Sequence, residues 1–312
     1  MVHLATIFPP LRRLRLPLSR DQLMLLMAAI NEIFLGIDIY LAHSLDGTIV
    51  PDEWIPIIFG PVAGGLLLLA GLIATRRRLM ATVIANIVFL SSIAVGLLGA
   101  YFHFVRAILP TGPVGEQVTV NLLVWAPPIL GPLTFSLVGI LGISAAWIED
   151  PSDSGVLVLL ANTRIRLPFS KTRAYFFWVG LGTLATVISS VLDHARTNFE
   201  NPWLWAPTVV GVFGTVVAVT LGVIDRPTRA DLITYLGAML LLIVVGVTGA
   251  VLHISQDLVA QGTIVVERFL RGAPVLAPLL FSNMGALGLI ALLDPVEPSA
   301  GRGPLVSQVG FW

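Results

Sequence analysis

Residues 13–20 read RLRLPLSR, and residues 164–171 read RIRLPFSK. The two octapeptides start 151 positions apart in a chain of 312, close to half its length. The match continues beyond them. At the same offset His43 meets His194, and Trp54-Ile55-Pro56 meets Trp205-Ala206-Pro207. At an offset of 150, VGLLGAYFH (95–103) meets VGVTGAVLH (245–253); at 146, PLTFSLVGILG (132–142) meets PLLFSNMGALG (278–288). Asp-Pro closes both series, at 150–151 and 294–295. One such match arises easily in apolar text. An ordered series with small insertions and deletions predicts a tandem duplication.

Composition sets the solvent. The chain is 56% apolar and 12% charged, with a mean hydropathy of +0.92. A water-soluble core of this size cannot hide so much apolar surface, so the surroundings are lipid. Net charge is zero, and nothing global points to nucleic acid. Cysteine is absent, which removes disulfides, thiolate zinc sites, cysteine-held iron–sulfur clusters and covalently attached haem. The basic N-terminus lacks a short apolar run with a small-residue cleavage site, so no signal peptide is expected.

A spanning helix needs roughly 20 mostly apolar residues. Eight runs qualify, at about 22–43, 54–75, 79–104, 124–148, 173–194, 205–224, 230–253 and 274–293. They are continuous rather than alternating, which favours helices over barrel strands. On one side the only Lys or Arg residues are Arg106, Arg196, Arg268 and Arg271. The others crowd the N-terminal segment, the loops at 76–78, 149–172 and 225–229 with their span edges, and the C-terminal tail. The positive-inside rule then makes both termini cytoplasmic, in a bacterial-type inner membrane.

The expected fold is an all-α integral membrane protein. Eight transmembrane helices form two tandem four-helix repeats, parallel in orientation and related by a pseudo-two-fold axis along the membrane normal. A cytoplasmic segment (1–12) precedes the first repeat (13–151). A cytoplasmic linker (152–163) leads to the second (164–295), and a cytoplasmic tail (296–312) ends the chain. A fainter likeness between WIPIIFGP (54–61) and WAPPILGP (125–132) suggests helical hairpins as the elementary unit. Ser19 with Gln22 has the spacing of a capping box; Ser170 has no acid or amide at the matching place.

Four of the five histidines, His43, His103, His194 and His253, each end an odd-numbered span, at one depth near the extracytoplasmic face. A histidine there complements the helix dipole by roughly 0.3–1 kcal/mol, which is the bland account. Four in matching slots raise the alternative of paired metal ligands. Gly96, Gly99 and His103 share one helical stripe, as do Gly246, Gly249 and His253; Gly36 precedes His43 by seven residues. Small residues beside a histidine leave room for a flat ligand, and equally allow close helix packing. Arg106 and Arg196 follow two of the histidines, where they snorkel to the interface or meet acidic groups of a ligand.

These residues support an electron-transfer subunit of the cytochrome b kind. His43 with His103, and His194 with His253, would each hold a haem b, exchanging electrons with a quinone or an external carrier inside a larger respiratory or photosynthetic complex. A chlorin pigment would use the same arrangement. A second class is an ion- or metal-handling protein. The four imidazoles would bind copper, zinc or iron, and Glu32 and Asp38 in the first span would carry protons or cations, since buried acids in lipid are paired or functional. The third is a scaffold subunit without a cofactor. The expected partners are lipids and other membrane or extracytoplasmic subunits. No phosphate-binding loop, dinucleotide fingerprint or nucleophile elbow is present, so a stand-alone enzyme is not the expectation.

Overall fold

A computed structural model describes residues 3–9, 17–45, 47, 49–74, 76–125, 127–159, 163–258, 264–265, 268 and 272–293. Arg271, the Asp294-Pro295 pair, the 296–312 tail and the start of the first octapeptide lie outside the described residues.

The molecule is mostly helical. A short α1 (His3–Ile7) leads to α2 (Arg20–Leu45), α3 (Trp54–Ala74) and α4 (Arg78–Phe102). After α5 (Val120–Trp125) and α6 (Leu130–Ala146), the strands β1 (Ile148–Glu149), β2 (Val156–Val158) and β3 (Arg164–Arg166) form a small antiparallel sheet. Then follow α7 (Lys171–Ala195), α8 (Trp205–Val223), α9 (Arg229–Asp257) and α10 (Leu276–Ala291). β2 falls within the expected cytoplasmic linker, 152–163.

Among the described residues, six helices are long and apolar enough to cross a membrane: α2, α3, α4, α7, α8 and α9. The fourth and eighth expected spans are shorter, 17 residues in α6 and 16 in α10. Proline is the cause. Pro127 and Pro128 stand before α6 and Pro274 before α10, and the residue preceding a proline is driven out of the helical region. At 1.5 Å per residue these helices reach about 25 Å, short of a hydrocarbon layer of about 30 Å. Large side chains such as Leu72, Ile87, Leu90, Val209 and Val244 are exposed on the flanks. A surface of that kind suits lipid and would be an aggregation liability in water.

Helix neighbours recur along the chain. In the first half, α2 packs on α3 and α6, α3 on α4, and α4 on α6. In the second, α7 packs on α8 and α10, α8 on α9, and α9 on α10. Between the halves, α6 meets α7, and α10 meets α2. Glycines set the close approaches. A Cβ at Gly96 would sit 2.6 Å from the Ser136 nitrogen, and one at Gly246 2.6 Å from that of Ser282. Ser136 Oγ donates to Ile93 O at 3.0 Å, and Ser282 Oγ to Ile243 O at 2.9 Å.

The helix starts follow their local sequence. Ser19 and Gln22 form the capping box, with Ser19 N donating to Gln22 Oε1 at 2.7 Å and Gln22 N to Ser19 Oγ at 3.2 Å. Ser170 accepts from Arg173 N alone. Beneath the caps lies an aromatic core that includes Phe89, Phe135, Tyr175, Phe176 and Tyr235, all buried.

Candidate functional site

The first two histidines meet. His43 ends α2, and His103 opens a π-helical turn, His103–Ile108, that continues α4. Their ring centroids are 6.0 Å apart, with planes inclined by 59°. His103 Nδ1 lies 3.0 Å from Pro128 O. A carbonyl oxygen only accepts, so this nitrogen carries the proton and Nε2 keeps a free lone pair. His43 Nδ1 lies 2.9 Å from Glu53 Oε1, and a carboxylate imposes the same tautomer. In the second half His253 Nδ1 donates to Pro274 O at 2.9 Å. His194 differs. Its Nδ1 faces Ser190 Oγ at 3.4 Å, and its ring stands edge-on to Phe199 at 6.1 Å. His194 and His253 are within electrostatic reach of each other.

The four rings do not converge. Among the described residues no three His, Cys, Asp or Glu side chains form a group able to hold a metal ion, so a single centre shared by all four histidines is absent there. The histidine-flanking glycines face protein. Gly36 abuts Pro61, Gly96 abuts Ser136 and Gly99 abuts Pro132, while Gly246 and Gly249 abut Ser282 and Pro278. A flat ligand at these positions would have to displace the neighbouring helix. The arginines have protein partners as well. Arg106 pairs with Asp52 and lies over the Phe102 ring at 4.4 Å. Arg196 Nε donates to Val124 O at 2.8 Å, and Arg268 Nη2 to Gln256 O at 2.9 Å.

Asp52 and Glu53 are site residues that the sequence reading passed over. They sit in a 3₁₀ turn, Pro51–Glu53, at the head of α3. Glu53 Oε2 accepts from Val50 N at 2.9 Å, which fixes the carboxylate beside His43. The available signal was the PDEW run itself: two acids immediately before an apolar span, at the level of a histidine.

Glu32 is fully buried in α2. Its Oε1 lies 2.5 Å from Ser92 Oγ on α4, which also contacts Phe135 O on α6 at 2.8 Å. Glu32 Oε2 is buried with no hydrogen-bond partner. Asp38 is half-buried and does not join this group.

A second polar cluster closes the other end of the bundle, between the halves. Lys171, the last residue of the second octapeptide, is buried, and its Nζ donates to Asp21 Oδ2 at 2.5 Å and to Trp147 O at 2.6 Å. Arg20, the last residue of the first octapeptide, donates from Nη1 to Thr172 Oγ1 at 2.6 Å. Tyr175 OH completes the group by donating to Asp21 Oδ1 at 2.9 Å. Each octapeptide thus ends in a cation that reaches across to the residue following the other. A cleft of about 610 Å³ adjoins this end, lined by Arg166, Phe169, Arg173 and Asp225 among others.

No family model, curated protein or solved structure matches the chain.

Proposed function

We propose that the chain is an integral-membrane electron-transfer subunit built from two tandem, parallel four-helix repeats, with a metal centre held by paired histidines near the extracytoplasmic face. α6 and α10 complete eight spans, and both termini are cytoplasmic. The recurring helix neighbours and the reciprocal contacts of Arg20 and Lys171 support the repeat, since a two-fold relation makes residue i meet j as j meets i.

The observation that carries the functional reading is the His43–His103 pair. Both rings have Nδ1 engaged by an oxygen acceptor, which leaves Nε2 as the ligating nitrogen and fixes the ring. His43 and His103, with ring centroids 6.0 Å apart, would hold the metal. With the neighbouring helices parted, haem b iron would take such an imidazole pair as ligands and would supply a one-electron couple. The protein's part is to hold the two rings, with Glu53 and Pro128 raising ligand basicity. The glycine faces offer the macrocycle no slot, so the ring pair carries the proposal alone.

The test is an absorption spectrum of the full chain in detergent, before and after dithionite, with metal analysis of the same sample. A Soret band with reduced α and β bands, lost in His43→Ala and His103→Ala, is the expected result. Glu53→Gln should weaken retention of the metal by roughly 10- to 100-fold, the usual cost of losing such a supporting carboxylate. A colourless, metal-free protein overturns the reading. A bare copper, zinc or iron ion on the same two histidines replaces haem with a simple metal site.

A further inference from the structure

We infer that Glu32 is an exchangeable proton-binding site: a neutral carboxylic acid held midway along α2, in the first half of the molecule alone. The inference does not rest on the metal centre. It starts from counting protons. Ser92 Oγ contacts two oxygens, Glu32 Oε1 at 2.5 Å and Phe135 O at 2.8 Å, and a hydroxyl has one proton to give. Phe135 O is a backbone carbonyl and can only accept. With the hydroxyl proton given to Phe135 O, the Glu32–Ser92 bond is made by a proton on the carboxyl; with it given to Glu32, the buried second oxygen of an ionised carboxylate would be left unpaired.

The surroundings agree. Among the described residues the elements around Glu32 bring it no cation: α3 sets Gly60 against its backbone, α4 brings Ser92, and α6 brings the Phe135 carbonyl. Its second oxygen is buried and unpartnered. An ionised carboxylate there would be an unpaired charge at membrane depth, whereas the neutral acid leaves only one weak acceptor unmet.

The row in which it stands gives the site a use. Asp21, Glu32 and His43 are spaced eleven residues apart, and eleven residues return to nearly the same helix face. At 1.5 Å per residue the steps are about 16 Å each, so the three titratable groups mark both ends and the middle of the span. Between them lie buried apolar side chains, Met24 and Ala28 on one side, Leu35 and Ile39 on the other. Exchange of the Glu32 proton therefore requires that packing to open. The same row in α7 is Thr172, Thr183 and His194, and at Ser92 the second half has Leu242. The second half holds no acid at this depth and serves as the internal control.

Infrared difference spectroscopy on the full chain, reconstituted in phosphatidylcholine vesicles and stripped of metal, tests the inference. A carboxylic-acid carbonyl band that vanishes in Glu32→Gln and shifts on transfer to deuterium oxide is the expected result. In Ser92→Ala the band should persist at higher wavenumber, because it has lost its hydrogen bond. This second variant keeps the test readable if the first fails to fold. Dicyclohexylcarbodiimide, an apolar reagent for protonated carboxyls, should label the Glu32 peptide. No acid band assignable to Glu32 would mean an ionised carboxylate. A band that never exchanges in deuterium oxide would mean a sealed structural acid. Either result overturns the proposal.

Discussion

The first and second halves use the same helix junctions and differ in their acidic residues. Gly96 on Ser136 and Gly246 on Ser282 are the same junction twice, down to the serine bond to a backbone carbonyl one helix away. His103 on Pro128 and His253 on Pro274 are likewise one contact used twice. Three acids near the candidate sites do not repeat. Where the first half has Glu32, Asp52 and Glu53, the second has Thr183, Trp203 and Leu204 at the corresponding positions. Two bundles with the same helix neighbours need the same junctions, because each must close. A given chemical group is needed only once. The difference between the halves separates the shared helix junctions from the acids that only the first half has, and it agrees with a proposed site in the first half.

The largest effect that would break this picture lies at the seam. Lys171→Met takes the buried cation from Asp21, which stays partly exposed and keeps its Tyr175 and Arg20 contacts, so the loss should fall toward the lower end of the about 3–5 kcal/mol typical of breaking a buried pair. Thermal unfolding in detergent should show that loss, and the double variant Asp21→Leu with Lys171→Met should recover much of it. Unfolding of the single variant at the wild-type temperature would mean that the halves hold together without the pair.

A smaller effect sharpens the comparison. Gly96→Val and Gly246→Val each drive a branched side chain into the facing helix, and overpacking of this kind costs about 1–3 kcal/mol. Because the two junctions are alike, the two losses measured by the same unfolding assay should agree. A large inequality would show that one half carries more of the stability. Smallest of all, Ser136→Ala and Ser282→Ala should each cost about 1 kcal/mol, again in equal measure. The glycine and serine pairs probe the shared scaffold, whereas Glu32 and Glu53 probe what only the first half has.

Much of the helical framework was legible in the sequence, because long apolar runs admit few structures in lipid. The ends were less so. α6 and α10 are cut short by Pro127, Pro128 and Pro274, whose effect on helix starts competes with the length of the apolar run. The π-helical turn at His103 has no mark in the local sequence. Within the candidate site, the histidines announced themselves by position. Glu53 did not, since its bond to His43 depends on how the α2–α3 loop folds back. Lys171 was misleading for a plain reason: a lysine at the mouth of a span signals orientation, and only tertiary packing turns it inward. The glycine stripes admit both a flat ligand and a neighbouring helix, and spacing alone does not distinguish them.

The crossed links of Arg20 and Lys171 bear on how such a molecule changes over time. In a pair of identical subunits every substitution is made twice, so both sides of a seam must tolerate it together. With both halves on one strand of peptide, each side answers for itself. One link is ionic, Lys171 to Asp21, and the other ends on the hydroxyl of Thr172, an inequality closed to any symmetric dimer. Freed from that twinning, one side can drift while the other keeps the bundle shut.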